Sequence, residues 1–293
     1  MSVPVSDPVF DRHSPLWEGL RRLLLDPLGL VGLALVILTV GGAAFADALA
    51  PYNPIAINVR ARLQDPSWTH WLGTDQLGRD TFSRILFGGR IALSVALVAI
   101  GISSALGLLL GMLAGYGSRR IDNTIMLVLD AVRSFPVVMF ALAIVTLIGP
   151  SIETIVIVVV VTSTPGYARI VRTQTLSLRQ TDFVLSQRVL GAGSVRILAT
   201  DILPNLVGPL IILASMDIPL VITLEAGLSF LGFGIRPPTP SWGNILNDGF
   251  NFIRDTPWMV IAGGIPLVAT TLGFTFLGEA LRDAFDPKLM HVG

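Results

Sequence analysis

The chain is 293 residues long, 52% hydrophobic and 14% charged, with 20 basic residues, 20 acidic residues and no cysteine. Soluble domains carry about 25% charged residues, so this composition indicates an integral membrane protein; zero net charge removes the electrostatic case for nucleic-acid binding, and the missing cysteines exclude disulfides, thiolate metal sites and cysteine nucleophiles. Lys288 is the only lysine and lies between Pro287 and Leu289, so the chain cannot build its own Gly-Lys-Ser/Thr phosphate loop.

Residues 1–26 mix Arg12, Arg21 and Arg22 with Asp7, Asp11, Glu18 and Asp26, and the apolar run begins only after them. That run exceeds the core of a cleavable signal, so 27–49 is expected to be a retained first transmembrane helix. Residues 50–88 form a polar external loop with three prolines, and 89–283 hold five further helices, the second span covering 91–118. Its small residues Gly101, Ser103, Ser104, Gly107, Gly111 and Gly115 predict close helix packing in lipid. A third span is predicted over 121–148, interrupted at Pro136, and a fourth over 153–169. The fifth, over 206–231, is expected to break at Pro209 and Pro219, and the sixth covers 256–277. The fold class is therefore all-α with six transmembrane helices, and 284–293 form a short tail.

Between the fourth and fifth spans lies 183–206, a polar-faced segment with apolar residues at helical spacing, glycines at 191 and 193, and Pro204 as its expected stop. Its apolar face has no obvious cover within the chain, which predicts a docking surface. Six spans put both termini on one side. With that side cytoplasmic, the inner segments hold twelve basic residues against seven outside, so the positive-inside rule places 183–206 in the cytoplasm.

Within the spans, Asp130 and Arg133 stand three apart and are expected to pair. Asp217 lies near mid-membrane with no charged neighbour at close helical spacing in its own span. A lone carboxylate there costs about 2.5–3.5 kcal/mol, so it should face the bundle interior, meeting either a substrate amine or a partner subunit. Glu225, about 80° round the same helix, is expected on the same side of the path. In the external loop, Asp75 with Arg79 and Asp80 with Arg84 have the spacing of helical ion pairs. The scattered histidines His13, His70 and His291 predict no metal site, and no catalytic constellation is visible.

The segment Arg188-Val-Leu-Gly191 through Ile202-Leu-Pro204 resembles the cytoplasmic coupling loop of ABC importer permeases. Gly73-Thr-Asp-Gln-Leu-Gly-Arg-Asp-Thr-Phe-Ser-Arg84, Leu228-Ser-Phe-Leu-Gly-Phe-Gly234, Pro237-Pro-Thr-Pro-Ser-Trp-Gly243 and Leu281-Arg-Asp-Ala-Phe-Asp-Pro-Lys288 are similar to the C-type permease of dipeptide, oligopeptide and nickel importers. The resemblance implies a type I importer fold and a non-enzymatic subunit in the bacterial inner membrane. It implies a second homologous permease, two ATP-binding subunits that carry ATP and Mg, and an extracytoplasmic substrate-binding protein. This chain would hold no cofactor. Coupling would fall to Arg188, Leu190, Gly191, Ala192, Gly193, Leu203 and Pro204, and the translocation path to Asp217 and Glu225. The substrate class implied is di- or oligopeptides, with nickel chelates, glutathione and opine-like solutes as alternatives; an ion-driven secondary transporter is the rival from another class. Where the family has Glu-Ala-Ala, this chain has Leu185-Ser186-Gln187, and Asp201 stands in the slot of an isoleucine.

Overall fold

The structure is a computed structural model and describes residues 25–284; the expected N-terminal segment up to Arg22 and the tail with Lys288 lie outside these residues. The described residues are helical, joined by loops. Five helices are long and apolar enough to cross a membrane, and a bent pair makes a sixth pass if its halves are counted together.

Helix α1 (Pro27–Ala44) starts where the Asp26 carboxylate accepts the amides of Leu28 and Gly29 and Pro27 takes the first helical position, a strong start signal because both satisfy or remove orphan donors. It lies along α9 (Trp258–Ala284). Gly32 and Gly273 allow this approach, since a Cβ on Gly32 would stand 2.6 Å from the Leu277 amide. Arg90 ties the far end of α1 to the bundle through the carbonyls of Ala43 and Ala44 and the carboxylate of Asp47.

Helix α2 (Thr81–Tyr116) begins ten residues before the predicted second span, because Asp80 caps it at the Ser83 amide. It packs against α5 (Ile152–Leu178) through a stripe of small residues. Cβ atoms on Gly107, Gly111 and Gly115 would fall 2.3, 2.6 and 2.6 Å from Tyr167, the Ala168 carbonyl and Thr175. Gly101 meets nothing within 4 Å, so the predicted stripe is narrower than its small residues suggested.

The third pass differs most from expectation. Helix α3 (Arg119–Arg133) and α4 (Val137–Ile148) meet at 85° across Ser134-Phe135-Pro136. Twelve residues make a rod of only about 18 Å, too short to cross a ~30 Å hydrocarbon core alone, so the pass is a broken one. Asp130 pairs with Arg169 of α5, and Asp122 with Arg172. The expected Asp130–Arg133 pair is therefore absent: helical spacing allowed it, but a guanidinium on the neighbouring helix takes the carboxylate.

Helix α6 (Asp182–Val189) is followed by one helical turn (Ser194–Ile197), a π turn (Leu198–Ile202) and α7 (Leu203–Phe230), the last three forming one rod over Ser194–Phe230. Pro204 is thus a start residue rather than a stop, and Pro209 and Pro219 leave the helix continuous. The Thr223 hydroxyl donates to the Pro219 carbonyl; the carbonyl that Pro219 leaves without an amide donor is that of Ser215, one turn earlier. After α7, the loop forms α8 (Trp242–Asn251) before α9.

Candidate functional site

Three constructions follow from this frame: a tip at the turn between α6 and α7, a cavity at the α3–α4 break, and a clamp beside the start of α2.

The tip is the predicted docking segment. Helix α6 ends in a Schellman turn: Gly191 donates to the Arg188 carbonyl and Ala192 to that of Gln187. Gly191 has φ +83°, a conformation that disfavours any side chain. Gly193 then caps the next helical turn. The apolar face is not wholly uncovered, as the sequence implied. Val184, Ile197, Ile202 and Leu206 are fully buried in the chain's own core, while Val189, Leu190 and Val195 stay 88%, 80% and 81% exposed. Arg188 turns inward instead, its guanidinium 5.5 Å over the Tyr116 ring and donating to the Tyr116 hydroxyl at 3.3 Å. Ala192 is half-buried, and Leu203 and Pro204 lie within the rod that leads from the tip into α7. Leu185, in the place of the family's glutamate, is 41% exposed.

The cavity is a half-open groove of about 710 Å³, with lining residues such as Phe135 and Leu220 60% and 65% exposed. Its walls come from the α3–α4 break (Arg133, Phe135), from α5 (Ser163, Gly166) and from α7 (Asp217, Leu224), and much of the remaining lining is apolar. Asp217 therefore lines this groove, and the Tyr167 hydroxyl of α5 faces its carboxylate. Glu225 is not on that wall. It is fully buried, its Oε1 accepting from Ser229 at 2.7 Å and Ser241 at 2.8 Å. Two turns beyond Asp217, the carboxylate has rotated onto α8 and the loop before it. In the sequence Asp130 offers Arg133 a partner, and the signal for its place on the cavity is a charge directly before the helix-breaking Ser134-Phe135-Pro136.

The clamp gathers the remaining motif residues. Asp75, 1% exposed, accepts from the amides of Leu77 and Arg79 at 2.8 and 2.9 Å, from Arg79 Nε at 2.6 Å and from Arg84. Asp248 of α8 completes a neutral set of two carboxylates and two guanidiniums, 3.4 Å from Arg84 and 3.7 Å from Arg79. Asp80 does not pair with Arg84 as its spacing suggested; it accepts from Ser83 and contacts His70 Nδ1 at 2.9 Å. Trp242 donates to the Ile85 carbonyl at 2.9 Å and fits its ring over Gly88 and Gly89. The Gly73–Arg84 and Pro237–Gly243 motifs are thus two halves of one interlocked structure.

Comparison with known proteins agrees with this architecture. Residues 107–291 match the family described as binding-protein-dependent transport system inner membrane component, and residues 14–66 match the N-terminal TM domain of oligopeptide transport permease C. A dipeptide transport system permease protein of Alkalihalophilus pseudofirmus is 37% identical over 98% of this chain and 95% of its own length. A di/tripeptide transport system permease protein of Pseudomonas aeruginosa is 36% identical over 99% and 98%. A chain of the inward-facing MetNI methionine ABC transporter shares the fold, with a TM-score of 0.58 at 16% identity, covering 69% of this chain and 97% of that one. Matched at more than a third identity over nearly its whole length, this chain belongs to the binding-protein-dependent transport system inner membrane component family, the multi-pass permease subunits of ABC transporters.

Proposed function

We propose that this chain is the permease subunit of an ATP-driven importer of di- and oligopeptides, forming half of the path beside a second, related permease. Two separate ATP-binding subunits dock on the cytoplasmic side, where both termini lie, and an extracytoplasmic binding protein delivers substrate. The peptide class rests on the relatives, whose names specify dipeptides and di- or tripeptides; nickel chelates, glutathione and opine-like solutes are the alternatives. One observation carries the mechanism: Val195 of the tip and the cavity-wall residues Asp217 and Leu224 belong to a single rod, Ser194–Phe230, about 55 Å long at 1.5 Å per residue, with Val189 and Leu190 on the helix and turn that lead into it. Motion imposed on Val189, Leu190 and Val195 by closing ATPase subunits therefore reaches Asp217 and Leu224 with little loss, opening the cavity to one side or the other. Asp217 serves this path by attracting the free amine of a peptide.

The test uses the reconstituted transporter. Leu190→Asp puts a charge on the apolar tip and is expected to release the ATPase subunits on affinity purification and to abolish dipeptide uptake. Leu185→Glu restores the acidic residue of the related loops and is expected to leave assembly intact or strengthen it. Retention of the ATPase by Leu190→Asp, or its loss in Leu185→Glu, would show that the tip does not dock in this register. Uptake by the chain in liposomes without any ATPase would sink the proposal as a whole.

A further inference from the structure

The cavity holds two opposite charges that do not use each other. Arg133 is the last residue of α3, directly before the 85° break, and it forms no ion pair among the described residues because Asp130 is taken by Arg169. Asp217 likewise forms no ion pair among the described residues; its polar neighbour is the hydroxyl of Tyr167 on α5. Both line the same 710 Å³ space. An unpaired charge at membrane depth is expensive, about 2.5–3.5 kcal/mol on insertion scales, and is tolerated where it faces water or a ligand. Arg133 is exposed at the helix break and Asp217 is half-buried, and with opposite signs the two charges on this lining sum to zero. A singly charged solute would match one group and leave the other exposed to repulsion or desolvation. A zwitterion matches both. Ser163, on the same lining, has a hydroxyl with no hydrogen-bond partner among the described residues, and Phe135 and Leu224 leave the remainder apolar, suited to side chains of varied shape.

We propose that Arg133 and Asp217 form a receptor for a zwitterion inside the membrane, Asp217 taking the ammonium and Arg133 the carboxylate of a short peptide with both termini free. This rests on the peptide-importer reading and deepens it: the permease reads the two ends of its substrate after the binding protein has released it. Bidentate geometry suits a guanidinium to a carboxylate, and a compact apolar surround strengthens both contacts.

The experiment uses the complete transporter, with both permeases and the ATPase subunits, in lipid nanodiscs and without binding protein. Equilibrium binding is measured for dialanine, N-acetyl-dialanine and dialanine amide. The wild type is expected to bind dialanine about tenfold tighter than either blocked form, a difference of ~1.4 kcal/mol. Arg133→Gln should bring dialanine down to the level of the amide while leaving the amide unchanged, and Arg133→Lys should keep most of the discrimination. Asp217→Asn should do the same against the acetylated form. Equal loss of dialanine and amide binding in Arg133→Gln would overturn the proposal, because it is the signature of a gate or folding contact. Equal wild-type affinity for all three ligands would overturn it too, as would no dialanine binding in a transporter that imports dialanine when its binding protein is supplied; these last results leave the importer reading standing. That reading falls separately if no peptide is taken up with the binding protein present.

Discussion

Asp75→Asn tests whether the Gly73–Arg84 motif is a structural clamp. The side chain is 1% exposed and accepts from two backbone amides and two guanidiniums. The amide is nearly isosteric, so packing is preserved, but the charge is lost and an NH₂ group turns towards donors. Arg79 and Arg84 would then share Asp248 alone, which is 23% exposed and stands 3.4 and 3.7 Å away. Removing one partner of a buried ion pair costs about 3–5 kcal/mol, because the charge left behind is neither solvated nor matched. Removing Asp248, a longer and wetter contact, costs about 0–1 kcal/mol, the range of surface pairs. Asp75→Asn should therefore be several-fold more destabilising than Asp248→Asn, as read from thermal unfolding of the purified transporter in detergent. The double variant Asp75→Asn/Arg84→Gln should be more stable than the sum of its singles, since it removes the unmatched cation along with its carboxylate. No member of the clamp lines the cavity, so uptake per folded transporter should be unchanged. Equal destabilisation by the two aspartate variants, or strict additivity in the double, would refute the buried-charge account.

Two further outcomes follow from packing. Gly111→Leu should abolish folded protein in a detergent-extraction assay, because even its Cβ would stand 2.6 Å from the Ala168 carbonyl and from Val171, whereas Gly101→Leu, with nothing within 4 Å, should extract like the wild type; equal yields would remove the stripe as the α2–α5 contact. Glu225→Ala leaves the hydroxyls of Ser229 and Ser241 without their acceptor and should cost about 1–3 kcal/mol of stability, with no change in the ratio of free to blocked peptide binding. A changed ratio would return Glu225 to the translocation path.

Much of the site was legible because its signals are local. Gly191 needed a positive φ, and glycine at the end of an amphipathic stretch announces such a turn. Asp217 stood alone in an apolar run, which is readable without any partner in view. Pairings were less legible. Asp130 had Arg133 at good helical spacing and Arg169 thirty-nine residues away, and the distant one won because α3 crosses α5 there. Asp80 had Arg84 four residues on, yet its carboxylate serves the helix start and His70. Glu225 and Asp217 share a helix, but the neighbours that α7 packs against, and not their shared sequence context, sent one to Ser241 and the other to the cavity.

The amino-acid sequence alone determined that this chain lives in a membrane, roughly how many times it crosses, where its long polar-faced loop falls and that it has no Gly-Lys-Ser/Thr phosphate loop. These depend on run lengths, charge placement and residue types, and the bilayer enforces them on any chain so composed. Tertiary structure decided which carboxylates are structural, which face the cavity, and that Val195 of the tip shares one rod with the cavity wall. It also decided that Pro136 breaks its helix while Pro209 and Pro219 do not. A proline removes one hydrogen bond wherever it stands; whether the helix then bends depends on what neighbouring helices press against it, and only the folded bundle supplies that.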